Sequence, residues 1–407
     1  MADPWKSDLW FTSPWNFEEA VTREQEFASR VVLHDITLRD GEQQAGIVLR
    51  AEDKIAIAEK LAEAGIDRIE AGMPAVSRDD ERAIREIVRR KLGPQIFAFA
   101  RCLVDDVKRA EDCGVDGIVI EIPSSEHIIQ HAYGWPMERA IDLSIKATQA
   151  AKEAGLFTVF FTIDASRANL RWLLKLLGQV AAEGHMDAIA LVDTMGCCSP
   201  GTIRYFVREV RKGFPDAQLE AHFHDDYGLA TANTLEALAA GAQVAHVSVL
   251  GIGERAGGAA LEDVVLALKT LYGVNTGIRP DRLYELCAMV RERTGHRIPG
   301  NKSAAGEALF HVESGIPATW LRRCRGPLLT EVFPMHPRLM GQPEPEIVMG
   351  KGSGEESVKD WLEQGGVKAT PEQVTRLIAM VKDMSLAKKG LLTREEFATI
   401  TRWVVES

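Results

Sequence analysis

The chain has 407 residues, with 48 Lys and Arg against 59 Asp and Glu for a formal net charge of -11. That acidic balance leaves no basic footprint for nucleic acid or an anionic membrane, and 46% hydrophobic with 26% charged residues is a globular composition that excludes wholesale disorder. No apolar run approaches the roughly 20 residues needed to span a bilayer. The opening MADPWKSDLW lacks the basic and apolar blocks of a signal peptide, and six scattered cysteines without CxxC spacing read as reduced thiols, so a cytoplasmic protein is expected.

Residues 1–29 read as an extension. Trp5, Trp10 and Trp15, punctuated by Pro4 and Pro14, call for a surface to pack on, and a helix is expected at about 17–28. From residue 31 a rhythm begins. Eight apolar, strand-like runs (31–37, 66–71, 95–101, 115–122, 156–163, 187–192, 219–224 and 243–250) alternate with amphipathic stretches such as AEDKIAIAEKLAEAG, which has helical apolar spacing and a terminal Gly. Eight strand–helix units over residues 30–285 make a (β/α)8 TIM barrel the expected fold. The alternative, a doubly wound open sheet, usually has fewer strands and a Gly-rich turn after the first, where this chain has TLRDGEQ. Residues 286–407 read as a smaller, mainly helical region. Helices are expected at 281–295, 304–314, 355–365, 371–382 and 393–405, with an irregular Pro- and Gly-rich stretch over 315–354.

In such barrels chemistry sits at the C-terminal ends of the strands. Those ends carry Arg39, Asp40 and Gln43, then Glu70, Arg101, Glu121 with Ser124 and Ser125, Asp164, Asp193 with Thr194, His222 and His224, and Glu254 with Arg255. In a strand, residues i and i+2 share a face with backbones about 7 Å apart, so His222 and His224 can meet one metal ion. An HxH pair is also common in purely structural settings; a carboxylate from another strand end, Asp40, favours a metal. Two imidazoles and one carboxylate suit Mg, Mn, Zn, Co or Fe with coordination positions left open. A 2-oxo acid could chelate such an ion, which would polarise its carbonyl while Arg39 faced the developing oxyanion. The alternative for Arg39 is a salt bridge to Asp40 or Glu42. GKGSG (350–354) lacks P-loop spacing and reads as a turn rather than a phosphate site, and Cys197 and Cys198 as thiols without a role.

HDITLRDGEQQAG (34–46), IEAGMPAVS (69–77), VDTMGCCSPG (192–201), AHFHDDYGLATANTLEALAAGA (221–242) and GIGERAGGAALEDVVLAL (251–268) together resemble the metal-dependent DRE-TIM metallolyase family. That family includes the isopropylmalate, homocitrate and citramalate synthases and hydroxymethylglutaryl-CoA lyase. VESGI (312–316) and GKGSG add weaker matches, and homocitrate and isopropylmalate synthases are the nearest in pattern. The resemblance implies condensation of an acyl-CoA with a 2-oxo acid, followed by thioester hydrolysis. Its alternative outcome is carbon–carbon cleavage of a 2-hydroxy acid, 2-oxo acid or acyl-CoA adduct. It implies Asp40, His222 and His224 as ligands of a divalent ion (Mg, Mn, Zn or Co) and Arg39 and Glu254 as catalytic residues. Gln43, Glu70, Arg101, Ser124 and Thr194 would bind substrate, in a homodimer whose helical region covers the partner's site. Three positions depart from the pattern: Gly258 replaces an Asn that adds a metal ligand, Ile163 replaces a Glu after strand 5, and Pro317 replaces the His of SGIH.

Overall fold

In a computed structural model, which describes residues 3–406, eight parallel strands close into a barrel in sequence order. They are β1 (Val32–Asp35), β2 (Arg68–Glu70), β3 (Gln95–Arg101), β4 (Gly117–Pro123), β5 (Phe157–Ile163), β6 (Ala188–Asp193), β7 (Gln218–Phe223) and β8 (Val244–Val247). Closure is explicit at His34, which stands opposite Arg68 of β2 on one side and His246 of β8 on the other. Each expected run overlaps one strand, so the open-sheet alternative is excluded. The runs are nearly continuous in apolar residues because both faces of a parallel barrel strand are covered.

The two halves of the barrel interior differ in chemistry. From β3 to β6 the inner face is apolar, built of Phe97, Phe99, Val119, Val159, Phe161, Ala188, Ala190 and Val192, with Ile163 packed at its edge. Across β7, β8, β1 and β2 it carries Glu220, His222, His246, His34, Arg68 and Glu70, all buried. The rings of His34 and His246 lie 4.5 Å apart, and Phe161 meets His222 edge-on at 4.8 Å. A polar floor therefore abuts an aromatic wall.

Helix Ala51–Ala64 shows how the outer layer is specified. The Asp53 side chain accepts the Arg50 N–H at the helix start, and Gly65 closes the end in the left-handed region at φ 90°. Ile57, Ala58 and Leu61 face the barrel. Lys54 on the same helix is fully buried, and its ammonium is held by Glu42 at 2.6 Å and by Asp80.

Packing divides the chain into two compact units, Pro14–Ile298 and a second made of Met1–Ser13 with Pro299–Ser407. Sequence organisation had suggested divisions at 29/30 and 285/286. The difference has local causes: Glu26 N–H donates to Ala239 O at 2.7 Å and Phe27 packs on Tyr272, while helix Leu283–Thr294 runs through residue 285. The expected helix at 17–28 is reduced to Glu19–Thr22, since the segment after it is drawn out to reach Ala239. Trp10 pairs with Met335 through a short bridge, whereas Trp15 keeps 76% of its surface exposed in the single chain.

In the second unit, helices Glu355–Gln364, Pro371–Lys388 and Arg394–Glu406 pack around Trp361, Leu377, Val381 and Phe397, as expected. Two local expectations fail. Residues 304–314 are not helical: Ala304 is left-handed at φ 57°, and a Cβ at Gly306 would stand 2.3 Å from Gly300 O, so the chain turns and forms a two-strand pairing of His311–Val312 with Glu346–Ile347. Helix Gly315–Cys324 then occupies part of the stretch expected to be irregular, with Pro317 in its first turn, where a missing N–H costs nothing. GKGSG is a turn whose Gly352 N–H is taken by Glu313 Oε1 at 2.7 Å, so the chain's own carboxylate stands where a phosphate would. Among the described residues no helix is long and apolar enough to cross a membrane.

Candidate active site

The loop after β1 turns sharply through Gly41–Gln43 and delivers Arg39 and Asp40, both buried, to the barrel mouth. The Asp40 carboxylate meets the two histidines of β7: His222 Nε2 lies 3.4 Å and His224 Nε2 3.9 Å from Asp40 Oδ2, and the two Nε2 atoms are 3.4 Å apart. One ligand atom from each of the three residues falls within 4.8 Å of the other two.

The hydrogen bonds behind these rings set their proton positions. His224 Nδ1 is 3.0 Å from Gly257 O, which can only accept, so Nδ1 carries the proton and Nε2 keeps a bare lone pair. His246 Nε2 is 2.7 Å from Glu220 Oε2, whose other oxygen takes Arg68 Nη1 at 2.8 Å. When the His246 proton sits on Nε2 alone, its Nδ1 is an acceptor 3.3 Å from His222 Nδ1; His222 then donates there and its Nε2 is also bare. Burial, only partly opposed by Asp40, lowers His222 to about 3 and keeps the ring neutral. Asp40 is pushed upward by burial, but the Arg39 guanidinium outweighs that and holds it well below the usual carboxylate range. Two bare nitrogens and a carboxylate oxygen converging in a dry site can hold a cation, and this donor set fits a divalent ion.

The loop after β8 closes the site from the far side. Glu254 N–H donates to Asp40 Oδ1 at 3.3 Å, and a Cβ at Gly253 would stand 2.8 Å from that oxygen. Gly257, at φ 87°, approaches Gly251 so closely that a Cβ would lie 1.9 Å from its carbonyl oxygen; no other residue fits. Gly258 forms a bridge with His224, so the position that departs from the resembled pattern does stand beside the ligand set.

Arg39 is paired with Glu70 through Nε, and its Nη1 donates to Asp40 Oδ2 and Gln43 Oε1, each at 3.0 Å. The salt-bridge alternative is thus partly realised, with Glu70 and Asp40 rather than Glu42, which serves Lys54. The arginine is not saturated, because Nη2 is buried without a hydrogen-bond partner. Its guanidinium lies 3.9 Å over the Phe99 ring. Burial pushes Glu70 up, but Arg39 prevails and takes it down to about 2, so it stays ionised.

Other expected site residues also make contacts within the chain. Ser124 Oγ donates to Ile163 O at 2.8 Å, and Thr194 Oγ1 accepts the Asp164 N–H at 2.8 Å. Arg101 is clamped by Asp106 at 2.7 Å, with about half of its side chain exposed. Glu254 is half-exposed, 3.5 Å from Arg255. Cys198 is buried, which pushes its thiol up to about 12, and Cys197 is exposed; neither is an activated nucleophile.

Four residues that the strand-end reading missed, His34, Arg68, Glu220 and His246, make up the polar floor. Three of them, His34, Glu220 and His246, also cluster tightly enough for an ion. Arg68 already neutralises Glu220 there, and a second cation beside that guanidinium would be repelled. A periodic signal existed: HxH is the end of ExHxH (220–224), and RxE (68–70) has the same inward spacing.

The fold and site define a TIM-barrel protein with a buried 2-His-1-carboxylate centre beneath an arginine. The HMGL-like family profile matches residues 30–290, and the chain belongs to that family. A putative (R)-citramalate synthase of Archaeoglobus fulgidus is 39% identical over 93% of this chain and 76% of its own length. A homocitrate synthase of Methanothermobacter thermautotrophicus is 36% identical over 92% of this chain and 93% of its own. In fold, the chain resembles the crystal structure of hydroxymethylglutaryl-CoA lyase from Pseudomonas aeruginosa, with a TM-score of 0.62 and 24% identity over 70% of this chain and 98% of that one.

Proposed function

We propose that this protein condenses an acyl-CoA with a 2-oxo acid, using a divalent ion held by Asp40, His222 and His224. The observation that carries the reading is the convergence of three bare donor atoms beside Arg39, whose buried Nη2 has no partner, in a chain whose relatives are named as synthases. An ion bound there would act as a Lewis acid on a carbonyl. The chain's own residues do the rest. Glu70 and Phe99 hold the guanidinium of Arg39 rigid, so Nη2 can meet negative charge developing on the keto oxygen without reorganising. Half-exposed Glu254 and exposed Gln43, at the rim, are assigned to meeting a substrate carboxylate or thioester in this reading. The aromatic wall of Phe99 and Phe161 excludes water from one side of the reacting centre.

A divalent ion and a homodimeric state belong to the same reading and rest on the resemblance, and cytoplasmic residence rests on the scattered cysteines and the character of the opening residues. A screen of 2-oxo acids against several acyl-CoAs, followed by free thiol release, tests it. Release that depends on both substrates supports condensation. Cleavage of a hydroxy-acid adduct with no thiol released in the forward direction would replace condensation with lyase chemistry.

A further inference from the structure

Condensation needs a base for the acyl α-proton, and the barrel mouth offers few free carboxylates. Glu70 is paired with Arg39, and Asp40 belongs to the ligand set. Glu42 holds Lys54 at 2.6 Å. Asp164 is forked by Arg167 at 2.6 and 3.0 Å and also takes Ser125 Oγ at 2.5 Å. Asp193 accepts Ser166 Oγ at 2.6 Å and the Cys198 N–H at 2.9 Å. Asp225 caps Ala230 at 2.7 Å, Asp226 pairs with Arg255 at 2.9 Å, and Glu254 lies 3.5 Å from the same arginine.

Glu121 differs from all of these. It sits at the C-terminal end of β4, beside Phe161 on β5 and Arg101 on β3; its main-chain carbonyl takes the Cys102 N–H at 3.1 Å, but among the described residues no hydrogen bond or ion pair engages its carboxylate. Its side chain borders a cavity of about 230 Å³ walled by Arg101, Cys102, Tyr133, Trp135 and Arg139. Ile163, two residues beyond Phe161, extends the apolar surface next to it.

We propose that Glu121 is the base that takes the α-proton of the acyl thioester. This rests on the condensation reading above. The C–H bond next to the thioester carbonyl breaks and its proton passes to a Glu121 carboxylate oxygen. The electron pair left behind forms the new bond to the keto carbon. The keto oxygen, faced by Arg39, gains the charge and finally takes the proton back from Glu121, so the base is regenerated before water hydrolyses the thioester. The cavity beside Glu121 gives the acyl end room and keeps the carboxylate poorly solvated.

The electrostatics are consistent with this role. Burial pushes the Glu121 carboxyl up to about 7, with Arg39 and Arg101 pulling it back and Glu254 and Glu70 adding to the rise. Tyr133 and Cys102 also face it, each feeling its charge, and Arg139 lies across the cavity. A base must be deprotonated, so kcat should fall as pH drops through about 7.

The test compares wild type, Glu121→Gln and Glu121→Asp, using acetyl-CoA and its methyl-deuterated form with the best 2-oxo acid from the screen. The expected result is a kcat for Glu121→Gln lower by about 10²–10⁴-fold, with KM for the 2-oxo acid within about threefold. Deuterium washout should be lost, as should the acidic limb of the pH profile. Glu121→Asp should recover part of kcat and retain that limb, which separates chemistry from misfolding. A wild type that releases no thiol with any pair overturns the condensation reading and this inference with it. A wild type that turns over while Glu121→Gln keeps kcat and washout, or changes only KM, overturns the inference alone.

Discussion

The relay behind His222 makes a prediction about a residue that touches neither ion nor substrate. His246→Leu removes the acceptor for the His222 Nδ1 proton and the donor to Glu220 Oε2, contacts of 3.3 and 2.7 Å in the native protein. Without an acceptor on Nδ1, the His222 proton is better placed on Nε2, next to Asp40 Oδ2 at 3.4 Å, which is the tautomer that cannot ligate. Loss of such an outer partner typically weakens metal binding by about 10–100-fold, or roughly 1.4–2.7 kcal/mol. The variant also leaves two buried polar groups unsatisfied, about 1–3 kcal/mol each, so its thermal midpoint should fall. His246→Gln keeps an acceptor and a donor on one side chain and should bind the ion within about threefold of wild type. Titration calorimetry with Mn²⁺ on folded, metal-depleted protein reads the difference directly. Wild-type affinity in His246→Leu would refute the relay, and equal losses in both variants would assign His246 to packing alone.

Three further outcomes are expected. Arg39→Lys cannot reproduce a guanidinium that holds Glu70, Asp40 and Gln43 while leaving Nη2 free, so kcat should fall about a hundredfold, or roughly 3 kcal/mol, with KM little changed; an unchanged kcat would make Arg39 a structural ion pair. Gly257→Ala should prevent the loop from reaching Gly251 and so weaken ion binding sharply, as judged by metal content after gel filtration, and full metal content would contradict the close approach. Asp35 is raised by burial to about 7, against the opposing Thr37 hydrogen bonds, so the folded state keeps a proton that the unfolded chain releases. Stability from this group therefore falls as pH rises from about 4 to about 7, and Asp35→Asn should gain on wild type by about 4 kcal/mol across that window in denaturant titrations. A difference independent of pH would count against the shift.

The barrel was legible because its signal is redundant: eight apolar runs at regular spacing tolerate errors of a few residues at any one end. Asp40, His222 and His224 were legible because they lie at strand ends and at the i, i+2 spacing of β7. The polar floor was hidden by the opposite circumstance. His34, Glu220 and His246 sit inside strands and Arg68 at the start of β2, away from the C-terminal ends, and single polar residues inside apolar runs carry no mark of which neighbours the barrel will bring to them. Ser124 and Thr194 lie at strand ends as expected, and their hydroxyls also meet Ile163 O and Asp164 N–H, a matter of rotamer rather than of sequence. In the second unit, the helical spacing of 304–314 was overridden by the left-handed Ala304 and by the tight fit of Gly306 against Gly300. Ile163 contributes to an apolar wall, as its chemistry suggests, while a free carboxylate stands on the neighbouring strand at Glu121.

The central claim is that chemistry occurs at an ion held by Asp40, His222 and His224. The most direct measurement is thiol release from acetyl-CoA in the presence of a 2-oxo acid, using metal-depleted protein titrated with Mn²⁺ and, in parallel, His222→Ala treated identically. No release is expected without the ion, activity should recover as the ion binds at one equivalent per chain, and His222→Ala should show neither binding nor recovery. Full activity in the metal-depleted protein, or full recovery in His222→Ala, would contradict it.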